Sequence, residues 1–288
     1  MSRLGWAFAL TATFMVVEAG VGFWSGSLAL VADAGHMLAD TAALGLAMIA
    51  QRIAARERTR DRTFGHRRAE VLAAFANGIA LGLTAIWIFV EAVSRWSSPP
   101  EIQGEAVAIT AGTGLLVNLI SAAILSAGQA GHNVNTRAAL AHVLSDALGS
   151  VGALVSALLI LLFGWYRADP TISMAIGGLI LWGGWRLVRD TSHVLMEGSP
   201  AAMDLAAVEE TIRSVQGVKD LHDLHVWSIS EGYDVLTVHV VIAPDHHGTE
   251  VAAAVNRRMR EVHGLSHCTV QPEATRPEGL VRLRRGPT

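Results

Sequence analysis

Long apolar runs fill the chain through residue 197, separated by short stretches carrying proline, glycine or charge. A helix that crosses the hydrocarbon core needs about 20 mostly apolar residues. Runs at 4–24, 28–50, 69–93, 107–127, 138–163 and 170–188 are of that kind, so six spans are expected. "WSGS" leaves room only for a tight turn between the first two. "SRWSSPPEIQG" and "GWYRADP" read as loops from their proline, glycine and interfacial aromatic residues. Arg3 ahead of the first run is compatible with a secretory leader. That run holds Glu18 and no clean small-residue cleavage site, so a spanning helix is the expectation.

Beyond residue 198 the periodicity shortens. "SPAAMDLAAVEETIRSVQGV" repeats its apolar positions (Leu205, Val208, Ile212, Val215) at helical spacing. "KDLHDLHVWSIS" and "YDVLTVHVVIA" alternate and are rich in β-branched residues, with a hairpin turn at "EGYD". "TEVAAAVNRRMREVHG" predicts a second amphipathic helix closed by Gly264, and "LSHCTVQPE" a last strand. The expected fold class is an all-α six-helix transmembrane domain followed by a small α/β domain of order αββαβ. The domains are placed at 1–197 and 198–275, with a flexible tail at 276–288.

Composition agrees with a membrane protein, since only 16% of residues are charged and 51% are hydrophobic, against about a quarter charged in soluble domains. A net charge of −3 gives no reason to expect a nucleic-acid partner. A single cysteine, Cys268, excludes an intrachain disulfide and any multi-cysteine zinc site. Basic residues gather on one side of the six-span layout. Arg52, Arg56, Arg58, Arg60, Arg62, Arg67 and Arg68 follow the second run, and Arg3, Arg137, Arg186 and Arg189 fall on the same side. Only Arg95 and Arg167 lie opposite, so both termini are expected in the cytoplasm.

Against this apolar background, "VADAGHMLAD" and "AHVLSDALGS" stand out. Each carries H-x-x-x-D, His36 with Asp40 and His142 with Asp146, and residues four apart share one helix face. Charges cost about 2.5–3.5 kcal/mol each at mid-membrane on insertion scales, so four groups in two matched pairs argue for function over packing. Two imidazoles and two carboxylates make a four-ligand tetrahedral site of the kind zinc favours. Two carboxylates balance one divalent cation, and when the metal leaves protons should take its place. Such competition is the physical basis of a metal/proton antiporter. Asp33, one turn before His36, is read as an acceptor for an imidazole N–H or as an entry-path charge. Glu18 and Asn118 are expected to face the bundle interior, and Glu91 to reach the membrane interface.

The stretches "SGSLALVADAGHMLADTAALGLAM", "TFGHRRAEVLAAFANG", "HVLSDALGSVG", "LHDLHVWSI" and "LTVHVVI" resemble the cation diffusion facilitator family, in its zinc-exporting branch, along nearly the whole chain. The resemblance implies a homodimer, a cytoplasmic ferredoxin-like domain and zinc export in exchange for protons, with cobalt or cadmium as minor substrates. It also implies a bacterial source and an integral protein of the inner (plasma) membrane. A His-Asp plus His-Asp quartet looks like the zinc-selective version. The resemblance points to His222, His239 and Glu273 as a zinc position in the cytoplasmic domain, zinc there being a regulatory ligand. His222 and His225, three apart on a strand, are expected on opposite faces, which leaves His225 to packing or a second metal. His66 matches a loop ligand of the family. The aspartate that partners it in some members would fall near Thr59 or Arg60, with Asp61 offset, which argues against a loop site. The loop before the fifth span has a single His132, so it is not a His-rich metal buffer. His246, His247 and His263 are expected to be solvated, and His267 and Cys268 are weak metal candidates.

Two other classes compete. An intramembrane metalloenzyme would keep an open metal position and a general base. Here four ligands saturate the ion, and neither H-E-x-x-H nor G-x-S-x-G occurs, so the protein is not expected to be an enzyme. A membrane metal sensor would signal through the cytoplasmic domain without moving metal.

Overall fold

The computed structural model describes residues 3–126 and 134–275, with side chains at 9–124, 140 and 143–275. His132, the side chains of Arg3, Arg137 and His142, and the tail at 276–288 lie outside that description. Six long helices come first: α1 (Arg3–Ser25), α2 (Leu28–Ala54), α3 (Arg68–Ser97), α4 (Gly104–Ser126), α5 (Val134–Phe163) and α6 (Ala168–Leu195). Five have spans long and apolar enough to cross a membrane, and α1 contributes a shorter apolar segment, Ala9–Ser25.

Several helices outrun their apolar runs. Helix α3 continues through Ser94–Ser97, which read as loop, because Glu91 pairs with Arg95 one turn on at 2.8 Å. Glu91 is thus held by an ion pair. Helix α6 begins at Ala168 inside the predicted loop "GWYRADP". Pro170 fits there because a first-turn N–H has no helical partner to lose.

The chain forms two compact units, Met1–Arg52 with Leu72–Arg189, and Ile53–Val71 with Asp190–Thr288. In the first, α2 is central. Ala29 and Leu30 pack with Ile102, Val107 and Ala111 and with Ala153, Ala157 and Ile160 of α5. Ala32 packs with Leu81, Ala85 and Ile88 of α3 and Ile176 and Ile180 of α6. Small residues at these contacts let backbones approach, the usual basis of helix association in lipid. Large apolar side chains such as Val16, Leu83, Ile109, Leu162 and Trp182 point outward, as a lipid-facing surface requires. Glu18 and Asn118 are buried inside the bundle, as expected.

The second unit carries α7 (Leu205–Arg213), β1 (Val218–Ser230), β2 (Tyr233–Ile242), α8 (Gly248–His263) and β3 (His267–Glu273), in the expected αββαβ order. The sheet order is β1-β2-β3, with β1 antiparallel and β3 parallel to β2. Val208 and Ile212 of α7 and Val251, Val255 and Met259 of α8 cover one sheet face, against Leu221, Val226, Leu236, Val238 and Val240. Asp204 caps α7 by accepting from Ala206 N–H, and Gly264 closes α8 in the left-handed conformation that glycine adopts freely.

Candidate metal centres

The first centre lies between α2 and α5. On α2, His36 Nε2 is 3.5 Å from Asp40 Oδ2, the one-turn neighbours that the spacing predicts. Donor atoms of His36, Asp40 and Asp146 all lie within 4.8 Å of one another. Zinc–nitrogen and zinc–oxygen bonds of about 2.0–2.1 Å put tetrahedral ligand atoms about 3.3 Å apart. The His36–Asp40 spacing is within a few tenths of an ångström of that edge. The third donor comes from another span, so two helices face one point. His142 occupies α5 one turn before Asp146.

Gly149 is what lets α2 and α5 meet. A Cβ at this position would run into the Asp33 carboxylate. Asp33 is itself buried, 2% exposed, and accepts from Ser150 Oγ at 3.4 Å, while Asn118 Nδ2 reaches Ser150 Oγ at 3.4 Å. Asp33 therefore belongs to a polar layer with Ser150 and Asn118, and Glu18 lies beside it. It is not among the clustered donors of His36, Asp40 and Asp146.

Asp169 was not singled out in the sequence. The first turn of α6 carries it, fully buried, to the start of α2. It accepts from Ser27 Oγ at 2.6 Å, Leu28 N at 2.8 Å and Ala29 N at 3.2 Å. A carboxylate there satisfies orphan N–H groups and complements the helix dipole. Arg95 Nη1 donates to Gly26 O beside it at 2.6 Å. The helix bearing His36 and Asp40 is thus pinned at its start. The only local sequence signal was an aspartate before a proline.

The second centre is in the αββαβ unit. His222 Nε2 and His239 Nδ1 approach the two oxygens of Glu273 at 2.9 and 2.7 Å, with the imidazoles 5.1 Å apart. The register explains the meeting, for His222 pairs directly with His239 and Glu273 ends β3 opposite Val241. These residues stand on the sheet face away from α7 and α8. The His239 hydrogen bond, with help from His222, holds the Glu273 carboxyl below its usual range. Two imidazoles and one carboxylate suit zinc and leave a fourth position for a further ligand.

One expectation about this sheet fails. Asp223, in the left-handed region with φ 48°, opens a bulge between His222 and His225. His225 then pairs with Thr237, two residues from His239. The extra residue cancels the odd spacing, so both histidines stand on one face. His222 is buried while His225 is exposed.

The remaining candidates are scattered. His66 is half-buried, and no other metal-type side chain clusters with it among the described residues. Its loop, part of the second unit, packs instead on the β1–β2 turn and β3. Arg67 lies over the Tyr233 ring at 4.4 Å, Arg58 Nη2 reaches Tyr233 Oη at 3.4 Å, and Phe64 meets His267 edge-on at 5.5 Å. His263 is bonded to Thr211 Oγ1 at 2.9 Å and His246 to Asp245 at 3.0 Å, so neither is simply solvated. Cys268 packs against the core, and burial pushes its thiol up.

Residues 6–196 match the cation efflux transmembrane domain, and residues 200–275 match the cytoplasmic domain of cation efflux proteins. The chain belongs to the cation efflux family. This bears out the resemblance to zinc-exporting cation diffusion facilitators. A cadmium, cobalt and zinc/H(+)-K(+) antiporter of Bacillus velezensis is 40% identical over 93% of this chain and 86% of its own length. The zinc transporter ZitB of Escherichia coli K12 is 42% identical, over 94% and 87% respectively. The metal cation efflux system protein CzcD of Cupriavidus metallidurans is 41% identical, over 93% and 84%. The solved metal-bound C-terminal domain of the CzcD transporter, 38% identical, covers 25% of this chain and 99% of that one, with a TM-score of 0.24. This cation efflux protein is an integral membrane protein with a helical membrane region followed by the family's small cytoplasmic domain.

Proposed function

We propose that this protein exports zinc from the cytoplasm in exchange for protons. The observation that carries the reading is the convergence of His36, Asp40 and Asp146 from two spans on one point. His142, one turn from Asp146 on the same helix, supplies the fourth ligand. Asp40 and Asp146 neutralise a divalent ion, and protons replace it when it leaves, which couples the two fluxes. The relatives named for zinc, for cadmium and cobalt with zinc, and for proton antiport support the same substrate class. Cobalt and cadmium, with the same charge and similar ligand demands, are secondary substrates.

In this reading residues 1–197 are the transport domain and 198–275 the cytoplasmic one. The arginine bias supports a cytoplasmic side for both termini, and the bacterial relatives support an inner-membrane location. His222, His239 and Glu273 hold a regulatory zinc whose open coordination position faces away from the helices. A second copy of the domain can meet that face, so zinc there favours the closed arrangement of a homodimer by its differential affinity. A family of transporters and the saturated ligand set both weigh against catalysis.

Zinc flux into proteoliposomes under a pH gradient tests the proposal. Asp40→Ala and Asp146→Ala should abolish flux, and collapsing the gradient should slow it in the wild type. His239→Ala should change only its zinc dependence. Undiminished flux in Asp146→Ala would overturn the reading.

A further inference from the structure

The loop between α2 and α3 holds more arginine than its own contacts use. Arg58 and Arg67 engage Tyr233, and Arg68 pairs with Glu197 at 3.1 Å. Arg56, Arg60 and Arg62 are exposed, and their guanidinium groups have no hydrogen-bond or ion-pair partner among the described residues. The segment is folded. Thr59 and Arg62 exchange backbone hydrogen bonds at 3.1 and 3.3 Å, and Gly65 N donates to Arg62 O at 2.8 Å. This small hairpin presents Arg60 at its tip with Arg62 at its base, and the Tyr233 contacts hold its flanks.

Chain connectivity keeps the hairpin at the membrane. Helix α2 has 27 residues, about 40 Å at 1.5 Å per residue against a hydrocarbon core of about 30 Å. Its last turns therefore already stand among the headgroups, and Arg56 follows its end at Ala54 by two residues. On the other side the chain enters α3, a second span, at Arg68. Guanidinium groups bind phosphate oxygens in a fork and remain charged at any physiological pH.

We propose that the hairpin carrying Arg60 and Arg62, with Arg56 just ahead of it, is a binding site for the phosphate headgroups of anionic phospholipids in the adjoining leaflet. Basic residues next to a span favour a particular side of the membrane, but that tendency asks only for charge near the helix end. It does not require a preformed hairpin with unengaged guanidinium groups. Prior folding lowers the ordering cost of binding. The helix that carries His36 and Asp40 ends at Ala54, just ahead of the hairpin, so headgroup occupancy acts on the transport helix. That last consequence rests on the transport reading; lipid binding does not.

The test is native mass spectrometry of the full-length protein in detergent with equimolar phosphatidylglycerol and phosphatidylcholine. Arg60→Gln/Arg62→Gln is compared with Arg257→Gln/Arg258→Gln, which removes the same charge from the exposed side of α8. Wild type and the α8 variant should retain phosphatidylglycerol preferentially, and the hairpin variant should lose that preference by about fivefold per arginine removed. Equal retention in the hairpin variant, or an equal loss in the α8 variant, would overturn the site. Displacement of phosphatidylglycerol by millimolar inorganic phosphate would overturn the lipid assignment, leaving a site for free anions. Zinc flux in phosphatidylcholine vesicles should be unchanged in the hairpin variant, and added phosphatidylglycerol should stimulate flux in the wild type but not in that variant. Wild-type protein that retains phosphatidylglycerol but transports no zinc would count against the transport reading alone.

Discussion

Replacing Gly149 with alanine adds one methyl group where α5 faces the Asp33 carboxylate of α2. That Cβ would lie 2.7 Å from Asp33 Cγ, where carbons in contact sit about 3.5–4.0 Å apart. One helix must therefore give by about 1 Å. Overpacking of this kind costs about 1–3 kcal/mol. If the strain falls on the zinc-loaded state, where Asp146 must close on His36 and Asp40, affinity drops about 5- to 150-fold. Helix propensity cannot explain a loss, because alanine favours helix over glycine by about 1 kcal/mol. The assay is zinc-dependent flux in proteoliposomes, with KM and the maximal rate measured separately. Asp33→Ala in the same chain removes the obstacle, so the double variant should recover part of the lost zinc affinity that Gly149→Ala alone causes. Unchanged KM and rate in Gly149→Ala would refute the argument, as would strictly additive effects in the double variant.

Three further outcomes are expected. Asp169→Ala strips three hydrogen bonds from the start of α2 and should lower stability by about 1–3 kcal/mol, read as a fall in Tm; Asp169→Asn, which keeps one acceptor oxygen, should fall less. The Glu273 carboxyl is held below its usual value of 4.5 in the folded protein, so its stabilising contribution is complete above that pH and disappears as pH falls through the lowered value. The difference in Tm between wild type and Glu273→Gln, measured without zinc, should accordingly shrink on acidification below pH 4.5, and a difference that grows would contradict the sign. Tyr233→Ala removes the ring under Arg67 and the hydroxyl near Arg58, so limited trypsin digestion should cut at Arg56–Arg62 faster than in the wild type, whereas Tyr233→Phe, which keeps the ring, should sit close to wild type.

The sequence by itself determined the elements and marked out the candidate ligands. Apolar run length places six spans because every backbone polar group in lipid must be satisfied within its own helix. A charge in such a run is costly enough to be conspicuous, which is why His36, Asp40, His142 and Asp146 could be singled out without coordinates. Period-two alternation likewise placed β1 and β2. The tertiary structure decided the relations between elements far apart in the chain. Asp169 is 141 residues from the backbone N–H of Leu28 that it caps, and nothing local distinguishes it from a loop aspartate. Gly149 matters only because Asp33 faces it. His222 and His225 share a face only because the bulge at Asp223 inserts a residue, an irregularity to which a parity argument is blind. Local pattern records what each segment must bury, whereas the contacts that turn buried groups into a site depend on which segment arrives opposite.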